Sequence, residues 1–430
     1  MNVLRKIFHK ATLAAACLVL SGFAVPAGAE QPLSDRERLK QIREMTRQTG
    51  VALKPSAISR ELKAPADVKV EIDKARAVIL NADPSKFVGG KPTFSVGASR
   101  AALKPQSLKR GLIIPPDARQ KVPEQNQRAT ANLEREARLL QAVNAKSQAP
   151  AVRSLAGKWR CDPGARAFDW RTIGAVSDVK NQEDCGSCWA FAAIGALEGS
   201  YFITNGDDMV GSEQQVLDCS RGGTCAGGMY SNAWDNLQGY GTAKNTSYPY
   251  TMVENQCRWS KPTPYHWAAW GWVDETRPDL VPAVEVLKSA LCKRGPLATA
   301  FVSDTPGIRH YQPGSVLNEN VGDQEIDHAV TIVGWDDGKQ AWLAKNSWHT
   351  SWGDKGYFWV KYGANKFGSW TAWVQARKTV AINDDCARFA PARSKIMKLN
   401  GAYKVVSGNE IIANLGNSRE DAERTLAVIK

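Results

Sequence analysis

A cysteine at the mouth of an all-apolar helix restricts what a chain can fold into more than composition does. This chain has one in Gln182-Glu183-Asp184-Cys185-Gly186-Ser187-Cys188-Trp189-Ala190-Phe191. Gly186-Ser187 can make a tight entry, and the apolar run from Trp189 to Leu197 reads as a buried helix whose first turn carries Cys188. A cysteine nucleophile needs a partner that holds it as thiolate, a helix N-terminus that favours negative charge, and donors aimed at a developing oxyanion. The backbone N–H of Cys188 would point toward the same spot as the side-chain amide of Gln182, so this stretch can supply the last two. A lone Cys-x-x-Cys pair is more often a disulfide, a metal pair or a redox motif, so the rest of the chain has to decide.

Two further segments do so. Sites of this type place a histidine and an asparagine about 130–150 residues after the cysteine. Asp327-His328-Ala329-Val330-Thr331-Ile332-Val333-Gly334-Trp335 reads as a histidine at the mouth of an apolar, β-branched strand. Trp342-Leu343-Ala344-Lys345-Asn346-Ser347-Trp348 follows, with Trp352-Gly353 and Gly356-Tyr357 behind it. His266 and His310 also lie downstream, but neither combines a strand start with a following Asn-Ser-Trp. The three segments, in this order, resemble the active-site motifs of the papain and cathepsin family of cysteine peptidases, in the form of a bacterial-type secreted precursor. The likeness runs from about Ala167 to Ala376. His349 departs from it, standing where the family usually has glycine.

The resemblance implies a papain-like two-lobed α+β fold, a helical lobe facing a β-barrel-like lobe, with the cleft between them. Cys188 would be the nucleophile, His328 its general base and later its acid, and Asn346 the group that fixes the imidazole plane. Gln182 would join the Cys188 N–H as oxyanion donor, and Trp348 would cover the His328–Asn346 hydrogen bond. With imidazolium at its side, such a cysteine can have a pKa of about 3–4. Gly227 and Gly228 would let a peptide backbone pair closely, while Met229, Tyr230 and Ala329 fall where the family binds the residue two before the scissile bond. That predicts a bulky apolar preference. The two-histidine insertion of dipeptide-releasing relatives is not present, which favours an endopeptidase. By resemblance, Cys185 pairs with Cys225 and Cys219 with Cys257, each closing a loop of about forty residues and stabilising by about 3–4 kcal/mol on the chain-entropy estimate. One pair is expected among Cys161, Cys292 and Cys386, and the sequence does not say which. No cofactor and no metal is implied.

Around this domain the chain is longer than the resemblance. Its 430 residues allow two or three domains. Arg5, Lys6 and Lys10 precede the apolar run Ala11 to Val25, and Ala27-Gly28-Ala29 is an A-x-A cleavage site, so residues 1–29 read as a signal peptide. The run is too short for a stable transmembrane anchor. Cys17, a possible lipid-attachment residue, fits the middle of a signal core better. Export to periplasm or medium follows, and with it disulfide formation. The formal charge of +13 favours acidic partners or an anionic envelope, but no aromatic-interleaved basic motif or zinc-finger spacing supports nucleic-acid binding.

Residues 30–160 carry no catalytic signature. Ser34-Asp35-Arg36-Glu37 is a capping box opening a charged helix to about Gln48, Pro92 to Leu112 is mixed strand and turn, and Asn126 to Gln148 has helical spacing. The region is read as a pro-segment lying across the cleft and inhibiting it, removed between about Gln148 and Asp162, or else as an N-terminal domain of separate function. It lacks the interwoven Glu/Arg/Phe/Asn/Ile helix pattern of the usual propeptide. The peptidase domain is expected over 161–377, mostly helical before Cys257 and mostly strands after it. A C-terminal extension over 378–430 reads as a hairpin, Tyr403-Lys404-Val405-Val406 and Glu410 to Gly416, followed by the amphipathic helix Ala422 to Lys430. It either clamps the domain or binds a partner, polymer or envelope component. The function is thus a cysteine-type endopeptidase acting on protein or peptide substrates. The rivals are an acyl transferase or isopeptide-processing enzyme on the same fold, separable by product analysis, and a non-catalytic scaffold, which would typically lose Cys188 or His328.

Overall fold

The computed structural model describes residues 31–99, 110–146, 160–259, 261, 263–378, 394–399, 402–407, 410–414, 419 and 423. The chain divides into two compact units, residues 1–376 and 377–430.

In the first unit the N-terminal helices come in sequence as α1 (Asp35–Thr49), α2 (Pro55–Leu62), α3 (Ala66–Leu80) and the long α4 (Ala118–Lys146). The capping box forms: Ser34 Oγ accepts from Glu37 N–H while the Glu37 carboxylate accepts from Ser34 N–H. The α1–α3 bundle is held by buried charge. Arg38 donates to Asp73 through Nε (3.1 Å) and Nη2 (2.6 Å), and Arg76 Nη2 lies 2.8 Å and 2.9 Å from the two Glu61 oxygens. Arg38, Arg76 and Glu61 are fully buried. Helices α2 and α3 were not expected, because their inward faces carry charged residues that a hydrophobicity pattern counts as outside.

Of the stretch Pro92 to Leu112, expected as mixed strand and turn, the described residues form no full strand. After a turn at Val88–Gly90, where Gly90 N–H donates to the Phe87 carbonyl (3.0 Å), the segment to residue 99 runs along the β-rich half, and residues 87–99 pair through single bridges, Phe87 with Glu319 and Val96 with Tyr311. Thr93 N–H donates to Asn318 Oδ1 (3.0 Å), Ser95 N–H to Ser315 Oγ (3.0 Å) and Gly97 N–H to the His310 carbonyl (3.1 Å). Met45, Ile79, Phe94 and Val96 enter the same core as Tyr311, Leu317 and Trp352. Residues 31–99 therefore share a core with the rest of the unit.

The remainder of the unit has two halves. The first holds α5 (Cys188–Asn205), α6 (Glu213–Cys219) and α7 (Tyr230–Leu237), with a two-stranded ribbon of Gly223–Thr224 and Gly227–Gly228. Helix α5 is apolar all round and buried on nearly every face, so it serves as the central element. Two of its glycines let it approach the other half. A Cβ on Gly195 would meet Thr331 Oγ1 at 2.6 Å, and one on Gly199 would meet Pro296 at 2.4 Å. The second half is an antiparallel sheet. With β1 (Ala167–Asp169), the ribbon strands β2 and β3, β4 (Trp267–Trp272), β5 (Leu297–Phe301), β6 (His328–Asp336), β7 (Ala341–Lys345), β8 (Tyr357–Lys361) and β9 (Ser369–Ala376), its order is β4-β9-β5-β6-β7-β8, and β1 pairs with β6. Central β6 is flanked on both sides and is apolar almost throughout, whereas edge strand β8 alternates. This half also carries α8 (Val284–Arg294), a helix that the expectation of mostly strands after Cys257 did not include.

Three disulfides tie the unit: Cys161–Cys292, Cys185–Cys225 and Cys219–Cys257. Cys17, Cys386 and the signal segment lie outside the described residues. Among those described, no helix is long and apolar enough to cross a membrane, and no group of acidic, histidine and cysteine side chains could hold a metal.

The second unit is a three-stranded antiparallel sheet of β10 (Ser394–Leu399), β11 (Ala402–Ser407) and β12 (Glu410–Asn414). The expected hairpin is β11–β12, and β10 adds a strand. Of the helix expected over 422–430, only Glu423 is described; it is helical and accepts from Arg419 Nε at 2.9 Å.

Candidate active site

Cys188 is the first residue of α5 and the free cysteine among those described. The loop leading to it is held from several sides. Cys185 is bonded to Cys225, Gly186 N–H donates to the Cys225 carbonyl (2.8 Å), and Gln182 N–H donates to the Ser347 carbonyl (2.9 Å). Ser187 forms no side-chain cap on the helix; its hydroxyl bonds instead to Tyr250 (2.6 Å), which donates to the Gln182 carbonyl (2.9 Å). The N-terminal end of the α5 dipole is thus left to Cys188. The Gln182 amide is fixed at both ends, its Oε1 accepting from Ser347 Oγ (2.6 Å) and its Nε2 donating to the Cys185 carbonyl (3.0 Å).

Across from the helix, His328 opens β6 and Asn346 follows the end of its neighbour β7. The antiparallel register Thr331↔Lys345 brings the two segments side by side. His328 Nε2 donates to Asn346 Oδ1 at 2.9 Å, and the Ser347 N–H donates to the same oxygen at 2.8 Å. Two donors on one atom fix the amide orientation and the imidazole tautomer together. Nδ1 of His328 has no hydrogen-bond partner. Trp348 stacks on the His328 ring (centroids 4.6 Å apart) and Phe301 meets it edge-on (5.7 Å).

Both groups are fully buried because residues 110–114 cross over them. Leu112 pairs with Gly228 in a parallel bridge: Gly228 N–H donates to the Gly111 carbonyl (2.8 Å) and Ile113 N–H to the Gly228 carbonyl (3.0 Å). Leu112 N–H donates to the Asp327 carbonyl (3.0 Å). A Cβ on Gly111 would lie 1.9 Å from the Gly186 carbonyl oxygen, so only glycine allows this approach. Leu112 sits in one apolar cluster with Met229, Tyr230, Ala329 and Trp370. Tyr230 is wholly buried in that cluster, its hydroxyl donating to the Trp370 carbonyl and its ring against Trp234 and Trp272. Beyond the strap, α4 docks on β4, where Trp272 Nε1 donates to Gln125 Oε1 (2.8 Å), and on α7, where Arg128 pairs with Asp235 (2.6 Å).

The strap changes the electrostatics. Burial pushes the Cys188 thiol up to about 12, against backbone groups of Ala329, Gly111 and Trp189 that favour the thiolate. Burial also lowers His328 to about 4, against the Asn346 bond and Asp327, which favour the cation. Neutral thiol beside neutral imidazole is the state that the covered cleft favours. The low thiol pKa expected from the sequence belongs to an uncovered cleft, where water and the imidazolium can stabilise the anion.

Two groups of side chains were not anticipated. Behind Asn346 lies a cavity of about 20 Å³, room for one water, lined among others by Lys180, Glu198, Glu213, Lys345 and Ser347. Lys180 bridges Glu198 (3.0 Å) and Glu213 (2.5 Å). Their signal in the sequence is a lone charge inside an apolar run, Glu198 after Leu197 and Lys345 after Ala344. At the cleft, Arg110 of the strap lies 2.6 Å from Asp304 and 3.1 Å from Asp327.

Residues 164–376 match the sequence profile of the papain family cysteine proteases. Over 210 residues the chain is 36% identical to digestive cysteine proteinase 3 of Homarus americanus, covering 47% of this chain and 63% of that protein. Over 212 residues it is 38% identical to cathepsin L1 of Drosophila melanogaster, covering 47% and 54% respectively. The chain thus spans less than two thirds of the length of these relatives. Among solved structures, a recombinant stem bromelain precursor superposes with a TM-score of 0.51 at 22% identity, covering 79% of this chain and 98% of that one. That likeness is one of fold, and it takes in the N-terminal helical region as well.

Proposed function

With residues 164–376 belonging to the papain family of cysteine proteases, we propose that the chain is the precursor of an exported cysteine endopeptidase, inhibited by its own residues 110–114. The observation that carries this reading is the pair of hydrogen bonds on Asn346 Oδ1, which presents a proton-free His328 Nδ1 beside the helix that begins at Cys188.

Once the cleft is open, His328 Nδ1 takes the Cys188 thiol proton, and the α5 terminus helps hold the thiolate. The thiolate attacks the substrate carbonyl carbon. The resulting oxyanion is met by the Cys188 N–H and the Gln182 amide, a donor set whose loss typically slows turnover by about 100- to 1,000-fold per donor. Imidazolium at His328 then protonates the leaving amine as the C–N bond breaks, leaving a thioester. Water, deprotonated by the same imidazole, hydrolyses it. Asn346 and Trp348 position the ring and touch no reacting atom.

Leu112 supports the expected apolar preference, since it is buried in the same apolar cluster as Met229, Tyr230 and Ala329. The strap survives there because it lies the wrong way round. If the Leu112 pocket takes the residue two before the scissile bond, the chain order from Arg110 to Leu112 opposes that of a substrate. The Gly111 carbonyl is also bonded to Gly228 N–H rather than turned to the oxyanion donors. Three disulfides favour maturation along a secretory route.

Mass spectrometry of the full chain at mildly acidic pH tests the reading. The wild type is expected to cut itself between about Gln148 and Asp162 and to take up a thiol-reactive epoxide at Cys188. A Cys188→Ala chain that trims itself at the same rate would refute it.

A further inference from the structure

The first element of the strap points to a second feature of substrate choice. Arg110 reaches into a corner of the cleft walled by two carboxylates, at 2.6 Å from Asp304 and 3.1 Å from Asp327. Asp327 precedes His328, and its carboxylate is held without help from Arg110, because Oδ1 accepts from the Ser303 N–H (2.7 Å) and Oδ2 is the atom that meets the guanidinium. Among the described residues, the cation on the other side is Arg309, 3.7 Å from Asp304. Among them, two carboxylates against Arg309 leave one negative charge, which Arg110 cancels.

The strap also places that corner relative to the chemistry. Leu112 lies at Gly228 and Gly111 against the Cys188 loop, so Arg110 lies one residue beyond the reacting position, on the side away from Leu112. Resting on the endopeptidase reading and on its assignment of the Leu112 pocket, we infer that Asp304 and Asp327 form a subsite for a basic side chain on the residue immediately after the scissile bond. A peptide with a bulky apolar residue two before that bond and arginine or lysine just after it reproduces in the productive direction what Arg110 and Leu112 do in reverse. The corner selects against glutamate by the same charge.

The test uses the full chain matured by its own cleavage and three quenched fluorescent peptides, alike except for arginine, glutamine or glutamate after the scissile bond. The arginine peptide is expected to exceed the glutamine one by about 10-fold in kcat/KM at low salt, with glutamate lower still and the spread shrinking in 0.5 M NaCl. Asp304→Asn, at a side chain that is 61% exposed, should compress the arginine-to-glutamine ratio to about 3 or less, and Asp304→Glu should keep it. Equal cleavage of all three peptides, or a ratio unmoved by Asp304→Asn, overturns the subsite while leaving the peptidase intact. Failure to cut any of them overturns both.

Discussion

His328 Nε2 stands 2.9 Å from Asn346 Oδ1, and that oxygen is already anchored by the Ser347 N–H at 2.8 Å. The imidazole is therefore aimed by a group that is itself immobile. Asn346→Ala should leave KM nearly unchanged and lower kcat by about 100-fold, the scale of a small misplacement of a reacting group. Steady-state kinetics on a short apolar peptide reads it, and an unaltered kcat would show that the ring is held by Trp348 and Phe301 alone.

Cys188→Ala should abolish peptide cleavage while the chain still folds, since it removes one sulfur from a site bounded by backbone. His328→Ala should leave a folded chain whose cysteine, after the strap is gone, alkylates far more slowly at neutral pH. Unchanged alkylation would mean that the helix terminus alone sustains the thiolate.

The strap depends on glycine at position 111. A methyl group there would sit 1.9 Å from the Gly186 oxygen, a contact that backbone cannot yield. Gly111→Ala in the full chain should lift the strap and raise the rate of Cys188 alkylation at least about 10-fold, the burial that pushes the thiol up to about 12 being relieved. A rate equal to wild type would mean that the cleft is closed by something other than residues 110–114.

Glu61 balances two buried guanidiniums, Arg76 at 2.8 Å and Arg38 at 3.6 Å. Glu61→Ala takes from buried Arg76 its hydrogen-bonded carboxylate, while Arg38 keeps Asp73, and should destabilise the α1–α3 bundle by about 3–5 kcal/mol. Urea titration of the full chain should show this part melting earlier than wild type, with the disulfide-tied remainder little changed. A single transition at the wild-type midpoint would contradict it.

His310 gives the docking of residues 87–99 a pH dependence. It is buried where Gly97 meets its carbonyl, and burial, with Arg309 and Arg76 nearby, lowers it from 6.5 to about 3. The undocked state takes up a proton below about pH 6.5 that the docked state resists until about pH 3. Stability from this group is complete above 6.5 and is lost as pH falls through that window. His310→Gln should flatten the acid dependence of self-cleavage, and an identical pH profile would remove His310 from the account.

The segments of the candidate site were readable because each pairs a functional side chain with the local pattern that positions it: Cys188 with an apolar helix, His328 with an apolar strand, Asn346 with a strand end. The two-lobed fold came with them through resemblance. The N-terminal region was harder to read because Arg38, Glu61 and Arg76 fill inward positions that periodicity assigns to apolar residues. Helix α8 was missed because Val284 to Arg294 mixes charge with short aliphatics between two obvious strands. Arg110 was invisible for another reason, since nothing local marks a residue whose partners, Asp304 and Asp327, lie about two hundred positions away.

The Cys161–Cys292 bond falls at the edge of the stretch where maturation is expected. On the proposed reading, a cut on the N-terminal side of Cys161 would free the whole N-terminal segment to diffuse away. A cut just after it would leave that segment leashed to the rest of the chain through one sulfur bridge, at high effective concentration, ready to refill the cleft. The difference of a residue or two in the scissile position thus separates an irreversible switch from one that a reductant could throw.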